Sequence, residues 1–262
     1  MLNAQKAFEK EKENVKNNFI KILEQKNVDS TELVTEFNKI NELSNRELAQ
    51  YFLFRQVIID SLKKMDENNE KLEKYLHSLF FELGEVSSKN DKLEDKFRNC
   101  IWLLDDKYMS YEKLFSDAKI SKIKKEIVDE SKSYHDGLEP DLTIFYSNHD
   151  VVVVEFKAIG AKSDDKLTSY SEINRNISVI AKNFDELNNI YGYVITKFDQ
   201  NFMDYVSEQP GIKAMFSCGK NPIYFLYNDN IKDLNGNKKN AYIYFISTDW
   251  LFYYAKLNIM CN

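Results

Sequence analysis

Charged side chains with the chemistry of a cation site end a strongly apolar segment in the middle of the chain. Asp141 precedes one run of β-forming residues, and Glu155 and Lys157 end a second run that contains four consecutive valines, 151–154. Alternate side chains of a strand share a face, so Glu155 and Lys157 point the same way. A buried charge is costly unless it is paired or bound to a metal. The pattern therefore predicts an ion pair or a divalent cation here.

The position of Asp141 depends on the register of a predicted hairpin, whose turn is the polar stretch Ser147–Asp150. A three-residue loop pairs Tyr146 with Asp150. Asp141 then falls opposite Glu155, where the two carboxylates repel each other and favour a shared proton or a divalent cation. A loop of even length would place Asp141 on the other face unless a bulge corrected the register. An ordinary hairpin with a structural Glu–Lys pair is the alternative.

Composition is typical of an ordered α/β protein and excludes several classes. The 262 residues are 43% hydrophobic and 14% aromatic, with only 7 Gly and 3 Pro, which argues against disorder. The net charge of −6 disfavours global attraction to nucleic acid but leaves room for a local basic groove. No signal sequence or membrane-spanning apolar run occurs. The 3 cysteines suit neither a disulfide framework nor a zinc site, so we expect a soluble cytoplasmic protein.

Helical periodicity dominates the first part of the chain, and we expect an all-helical segment over residues 1–68. Breaks are predicted near 27–30 and at 41–45, followed by a helix over 47–64. A further helix, 69–83, opens the next domain, and its Glu73 and His77 are four residues apart and so share a face.

The domain predicted over residues 69–262 alternates strands and helices, and we expect a mixed sheet flanked by helices. A strand at 190–196 should lie parallel to its neighbour across a helical crossover at 168–187. The remaining predicted elements are a loop at 85–96, a first strand at 99–104, a polar mobile segment at 121–133, strands at 222–227 and 241–246, and a last helix capped by Thr248 or Asp249.

Pro140-Asp141, thirteen residues, and then Glu155-Phe156-Lys157 resemble the signature of the PD-(D/E)XK nuclease superfamily. The resemblance spans residues 45–258. This part of the chain is similar to nuclease-type domains of bacterial anti-phage defence proteins and to those fused to GHKL-type ATPases. The further phrases that carry it are Leu48-Ala49-Gln50-Tyr51, Arg55-Gln56-Val57-Ile58, His77-Ser78-Leu79-Phe80-Phe81, Trp102-Leu103-Leu104-Asp105 and Ile246-Ser247-Thr248-Asp249-Trp250-Leu251.

The resemblance implies a restriction-endonuclease-like core and a set of site residues. Asp141 and Glu155 would hold Mg²⁺, or Mn²⁺ in its place, and Lys157 would position or activate the attacking water. An acidic residue of the preceding helix would complete the metal site, for which Glu73 is the first choice and Glu70 the second. The helix after the hairpin offers Glu172, Asn174 and Arg175, none an unambiguous match to the family. Substrate contacts are assigned to His77, Lys162, Lys166 and Arg175.

The function that follows is a Mg²⁺-dependent endonuclease that hydrolyses DNA in bacterial anti-phage or genome defence, with RNA left open as substrate. The partners implied are a second copy of the chain or a separate protein such as an ATPase, since no ATP-binding motif is present. The alternative is a catalytically inactive nuclease-fold module that binds nucleic acid or a protein. An α/β enzyme of another class is the third hypothesis, but we find neither a Gly-rich phosphate loop nor a nucleophile elbow.

Overall fold

The computed structural model of the protein describes residues 2–23, 30–91, 99–128 and 137–261. The chain forms two compact units, Met1–Val57 and Ile58–Asn262. The division between them falls within a helix, whereas the sequence places the domain boundary at residue 68. Among the described residues, no helix combines the length and the apolar character needed to cross a bilayer.

The described residues of the first unit form α1 (Leu2–Leu23) and the start of α2 (Ser30–Glu67). Helix α2 is continuous over 38 residues, so the predicted break at 41–45 is wrong. That stretch contains neither Gly nor Pro, and Leu43 in its centre is buried, which favours an uninterrupted helix. The other predicted break, near 27–30, falls almost wholly outside the described residues.

An eight-stranded mixed sheet forms the centre of the second unit, in the order β1-β2-β3-β4-β5-β8-β7-β6. Its strands are β1 (Val86–Ser88), β2 (Lys113–Ser116), β3 (Leu142–Phe145), β4 (Asp150–Phe156), β5 (Asn189–Thr196), β6 (Lys213–Met215), β7 (Ile223–Lys232) and β8 (Lys238–Ser247). The described helices of this unit are the end of α2, α3 (Glu73–Phe80), α4 (Ile120–Val128), α5 (Ser163–Asn183), α6 (Gln200–Glu208) and α7 (Thr248–Cys261), with 3₁₀ turns at Ile101–Leu103 and Asp106–Ser110.

The three central strands β4, β5 and β8 are parallel, and the outer pairs are antiparallel. Helix α5 connects β4 to β5, which confirms the predicted crossover and the predicted parallel strand. The two strands predicted near the end of the chain are also confirmed, as the antiparallel pair β7–β8. The molecule is thus a mixed α/β protein, as the sequence predicts.

The core lies between the sheet and α5, and it explains the valine run. Residues 151–154 are fully buried because β4 is covered on both faces, as is usual for a central parallel strand. Ile173 and Ile177 of α5 pack directly over Gly192 of β5. A Cβ at Gly192 would lie 2.7 Å from Cδ1 of Ile177, so this glycine permits the close approach of helix and sheet.

Three predicted elements differ from the observed ones. The segment 99–104 forms a 3₁₀ turn at Ile101–Leu103 rather than a strand, with all three side chains of the turn buried and so no alternation to match a pleat. The predicted loop 85–96 contains β1, which is stabilised by pairing with β2. The polar segment 121–133 is helical in its described part, where Ile120 and Ile123 anchor α4 in the core.

Candidate active site

The hairpin of β3 and β4 brings Asp141 and Glu155 together at one end of the sheet. Leu142 pairs with Val154, so the next pair outward is Asp141 with Glu155. At the other end of the hairpin, the Tyr146 N–H donates to the Asp150 carbonyl at 3.1 Å. The register predicted from a three-residue loop is therefore confirmed.

Each of the two carboxylates has a partner that orients it. The backbone N–H of Phe156 donates to Oδ2 of Asp141 at 2.6 Å, across the hairpin. The side-chain amide of Asn176, on α5, donates to Oε1 of Glu155. Glu155 is only 6% exposed, so its position is set by packing as well as by this bond.

The pKa values of both carboxyl groups are raised. Burial raises the pKa of Glu155, and the neighbouring Asp141 raises it further. Burial also raises the pKa of Asp141, with added repulsion from Glu73 and Asp117, against the opposing effect of the Phe156 N–H. Lys157 opposes both shifts without cancelling them, so a bound cation would stabilise the pair further.

Lys157 lies on the same face of the chain as Glu155 and is held between two carboxylates. Its Nζ is 2.8 Å from Oε2 of Glu172 and 3.7 Å from Oε2 of Glu73. Burial alone would lower the pKa of the amine, but the contact with Glu172 and the charge of Glu73 outweigh it, and the pKa is raised. The amine is therefore positively charged at neutral pH.

Glu73, the first residue of α3, lies beside Lys157, where the acidic residue of the preceding helix is expected. Burial raises the pKa of the Glu73 carboxyl, although Lys157 opposes the shift. Glu70, the second choice, instead accepts from the backbone N–H of Leu72 at 2.9 Å and stabilises the turn before α3.

Helix α5 contributes two residues to the cluster. Glu172, one of the three candidates on this helix, contacts Lys157. Asn176, which binds Glu155, was not predicted. It lies one turn after Glu172, so the spacing of four residues could have revealed it. Asn174 bonds to the backbone carbonyl of Tyr170, and Arg175 is exposed beside the site.

A cavity of about 260 Å³ is lined by part of the cluster, without Asp141 and Glu73. It is close in size to the smallest ligand pockets, at about 300 Å³, and could admit a phosphate group. Three carboxylates and two cationic side chains face it. Its lining residues are Leu138, Glu139, Glu155, Lys157, Glu172, Arg175 and Asn176.

Two of the residues assigned to substrate binding are buried and already have polar partners. His77 is 2% exposed, its Nε2 lies 3.0 Å from the Ser116 hydroxyl, and its ring stacks on Phe156. Lys166 is also buried and donates to the Lys197 carbonyl at 2.8 Å and to Asp199 at 3.2 Å. Neither side chain is free to contact a substrate, so we do not retain them in that role. Lys162 is exposed just before α5, and its role stays a prediction.

The acidic side chains around Lys157 offer the ligand type of a hard divalent cation. Asp141, Glu155 and Glu73 supply carboxylate oxygens, the ligands that Mg²⁺ prefers. Within the described residues of the cluster only Lys157 offers a buried positive charge, which does not balance the acidic groups around it.

Comparisons of the chain with models of protein families, with curated proteins and with solved structures find no match. The PD-(D/E)XK assignment therefore stays a prediction from the sequence motifs.

Proposed function

We propose that this protein is a metal-dependent nuclease that hydrolyses phosphodiester bonds in DNA. The observation that carries the proposal is the pairing of Asp141 with Glu155 at the end of a buried hairpin. Lys157 lies on the same face, two residues further on. This arrangement combines two carboxylates, whose charge the nearby lysine does not balance, with a fixed ammonium group. Such a set of groups can bind a cation and a phosphate at the same time.

Asp141 and Glu155 would hold the cation, with Glu73 as a third ligand. Mg²⁺ or Mn²⁺ there would supply positive charge to the scissile phosphate and lower the pKa of water. The Phe156 N–H and the Asn176 amide keep the carboxylates oriented, so the ligand oxygens are prearranged before a cation enters.

Lys157 would act as a charged hydrogen-bond donor to the phosphate or to the attacking water. Its raised pKa keeps it protonated at neutral pH, which argues against a role as a general base. Glu172 and Glu73 position the amine, and their distances of 2.8 Å and 3.7 Å from Nζ leave it able to donate to a ligand as well.

The charges around the cavity make the proposed activity strictly dependent on a divalent cation. Glu139 and Glu172 would repel a phosphate, and Arg175 offsets only part of that repulsion. DNA as substrate, a role in anti-phage defence, and a partner such as a second copy or a separate ATPase rest on the family resemblance alone.

The test is cleavage of plasmid, single-stranded DNA and RNA in Mg²⁺, Mn²⁺ or EDTA, with Glu155→Gln beside the native protein. Glutamine keeps the shape and the acceptor for Asn176 but removes the charge. We expect DNA cleavage only with a divalent cation, and a loss of about 100-fold or more in Glu155→Gln. The control is Glu208→Gln, an exposed residue at the end of α6, which should cut like the native protein.

Two results would contradict the proposal. Equal cleavage by Glu155→Gln and the native protein would place the active site elsewhere or indicate a contaminant. No cleavage by folded native protein in either metal, with DNA still bound, would favour the catalytically inactive binding module.

A further inference from the structure

We propose a second cation site, formed by His77, Asp117 and Asp141, that takes a first-row transition-metal cation such as Mn²⁺ or Zn²⁺. One ligand atom from each of these residues lies within 4.8 Å of the other two. The site would share Asp141 with the carboxylate pair described above. Cation binding at these residues does not depend on nuclease activity.

Asp117 reaches Asp141 from the opposite side to Glu155. Ser116 pairs with Leu142, so Asp117 follows β2 at the position opposite Asp141. The backbone N–H of Asp117 donates to the Asp141 carbonyl at 3.0 Å and fixes this alignment. Asp141 thus has an acidic residue on each side, Glu155 of β4 and Asp117 just after β2.

His77 directs one nitrogen of a buried imidazole toward these carboxylates. The other nitrogen, Nε2, is 3.0 Å from the Ser116 hydroxyl, which sets the ring orientation. Nδ1 lies 3.8 Å from Oδ2 of Asp117, too far for a hydrogen bond. A histidine held at one nitrogen by a polar neighbour, with the other facing carboxylates, has the usual environment of a metal ligand.

The imidazole of His77 is in the protonation state that a cation needs. Burial lowers the pKa of His77 to about 4, so the ring is neutral at physiological pH and its lone pair is available. Oδ2 of Asp141 accepts from Phe156, which leaves its second oxygen for a ligand. Asp117 is 37% exposed in its side chain and can move. With metal–ligand bonds of about 2.1 Å, each donor atom would have to move toward the cation by roughly 1 Å at most.

The imidazole distinguishes this site from the carboxylate pair. Nitrogen ligands favour transition metals such as Zn²⁺, whereas Mg²⁺ prefers oxygen ligands and keeps its waters. The chemistry therefore selects a cation that accepts mixed nitrogen and oxygen ligands.

The site can be tested by direct binding on the full-length protein. Titration with Mn²⁺ followed by electron paramagnetic resonance counts bound ions, and the absorption spectrum of bound Co²⁺ reports a nitrogen ligand. The variants are His77→Gln and Asp117→Asn. The second is a gentle change, since Asp117 has a positive φ of 44° that asparagine also tolerates. Controls are Glu155→Gln and the exposed Asp204→Asn.

We expect both site variants to weaken transition-metal binding at least about tenfold and to change the Co²⁺ spectrum, while Glu155→Gln keeps the His77-dependent spectrum. Unchanged binding and spectrum in folded Asp117→Asn and His77→Gln would overturn the second site, and so would a native protein that binds no transition metal. If DNA is cut but metal binding is unchanged in His77→Gln, only the proposal of the second site fails. If binding needs His77 but no DNA is cut, only the nuclease proposal fails.

Discussion

The carboxyl groups of Asp141 and Glu155 lie in an environment that disfavours their charged form when no cation is bound. Burial raises the pKa of both groups, and the charge of Asp141 raises the pKa of Glu155 further. Structural ion pairs usually lower a carboxyl pKa. The raised values are typical of a site that receives a positive charge.

This arrangement predicts that the metal-free protein loses stability as the pH rises. A carboxyl that stays protonated in the folded state but ionises in the unfolded chain favours folding at low pH, and the contribution is lost as the pH passes through the folded-state pKa. We therefore expect the free energy of unfolding in EDTA to fall by roughly 1–2 kcal/mol between about pH 6.5 and pH 9. His77 opposes this fall only near the lower end of the range, because an unfolded histidine is half protonated at about pH 6.5 and neutral above about pH 7.5.

Urea denaturation across this pH range measures the effect, with Glu155→Gln as the matched variant. Its amide cannot ionise, so its curve should be flatter, and Mg²⁺ should stabilise the native protein most at high pH. If the free energy of unfolding in EDTA instead rises with pH, and does so equally in both proteins, the carboxyl pair does not disfavour its charged form.

At the scale of elements, two segments close to the site are fastened to each other. The loop after Lys157 contacts the turn before α3, where the Gly160 N–H donates to the Glu70 carbonyl at 2.6 Å. This contact sets the distance between Lys157 on β4 and Glu73 on α3. The two residues are far apart in sequence, and the loop contact is part of what aligns them.

Gly160→Ala should disturb this alignment. A Cβ at Gly160 would lie 2.3 Å from the backbone oxygen of Asn69, which cannot move without shifting the turn. We expect a loss of about 1–3 kcal/mol of stability and a weaker metal-dependent stabilisation, both measured by thermal unfolding with and without Mn²⁺.

The matched control for that change is Gly137→Ala, because nothing lies within 4 Å of the position of its Cβ. The two variants make the same chemical change and differ only in the space available. If both unfold at the native temperature, the contact between the loop and the turn is not close enough to position Glu73.

At the scale of the whole molecule, every residue of the two proposed cation sites belongs to the unit Ile58–Asn262. The complete eight-stranded sheet and its buried core belong to it as well. With about 200 residues, such a unit is large enough to bury a core of its own.

A fragment of residues 58–262 should therefore fold without the helices that precede it. We expect a cooperative unfolding transition and the same stabilisation by divalent cations as in the full chain, since no ligand is removed. Circular dichroism and thermal unfolding in EDTA, Mg²⁺ and Mn²⁺ measure this. A fragment that stays unfolded, or that folds without responding to cations, would show that residues 1–57 are part of the site-bearing unit.

Local patterns were sufficient to predict the hairpin that carries Asp141, Glu155 and Lys157. Strand alternation and a three-residue loop determine which side chains share a face, and both features lie within one short stretch of sequence. The crossover from β4 to β5 followed from a helical pattern between two apolar strands. The carboxylate pair and the adjacent lysine were therefore predictable from the sequence.

Only the tertiary structure revealed what surrounds that hairpin. The short strands β1, β2 and β6 are stabilised by their pairing partners and carry weak patterns of their own. Asp117 comes beside Asp141 only because β2 pairs with β3, and His77 only because α3 packs against Phe156. The sequence by itself thus predicted the carboxylate pair on the condition of a three-residue loop, since neighbours in the chain define the pair once the loop length is given. Tertiary packing decided the partners of the pair, because contacts between distant segments depend on the whole fold.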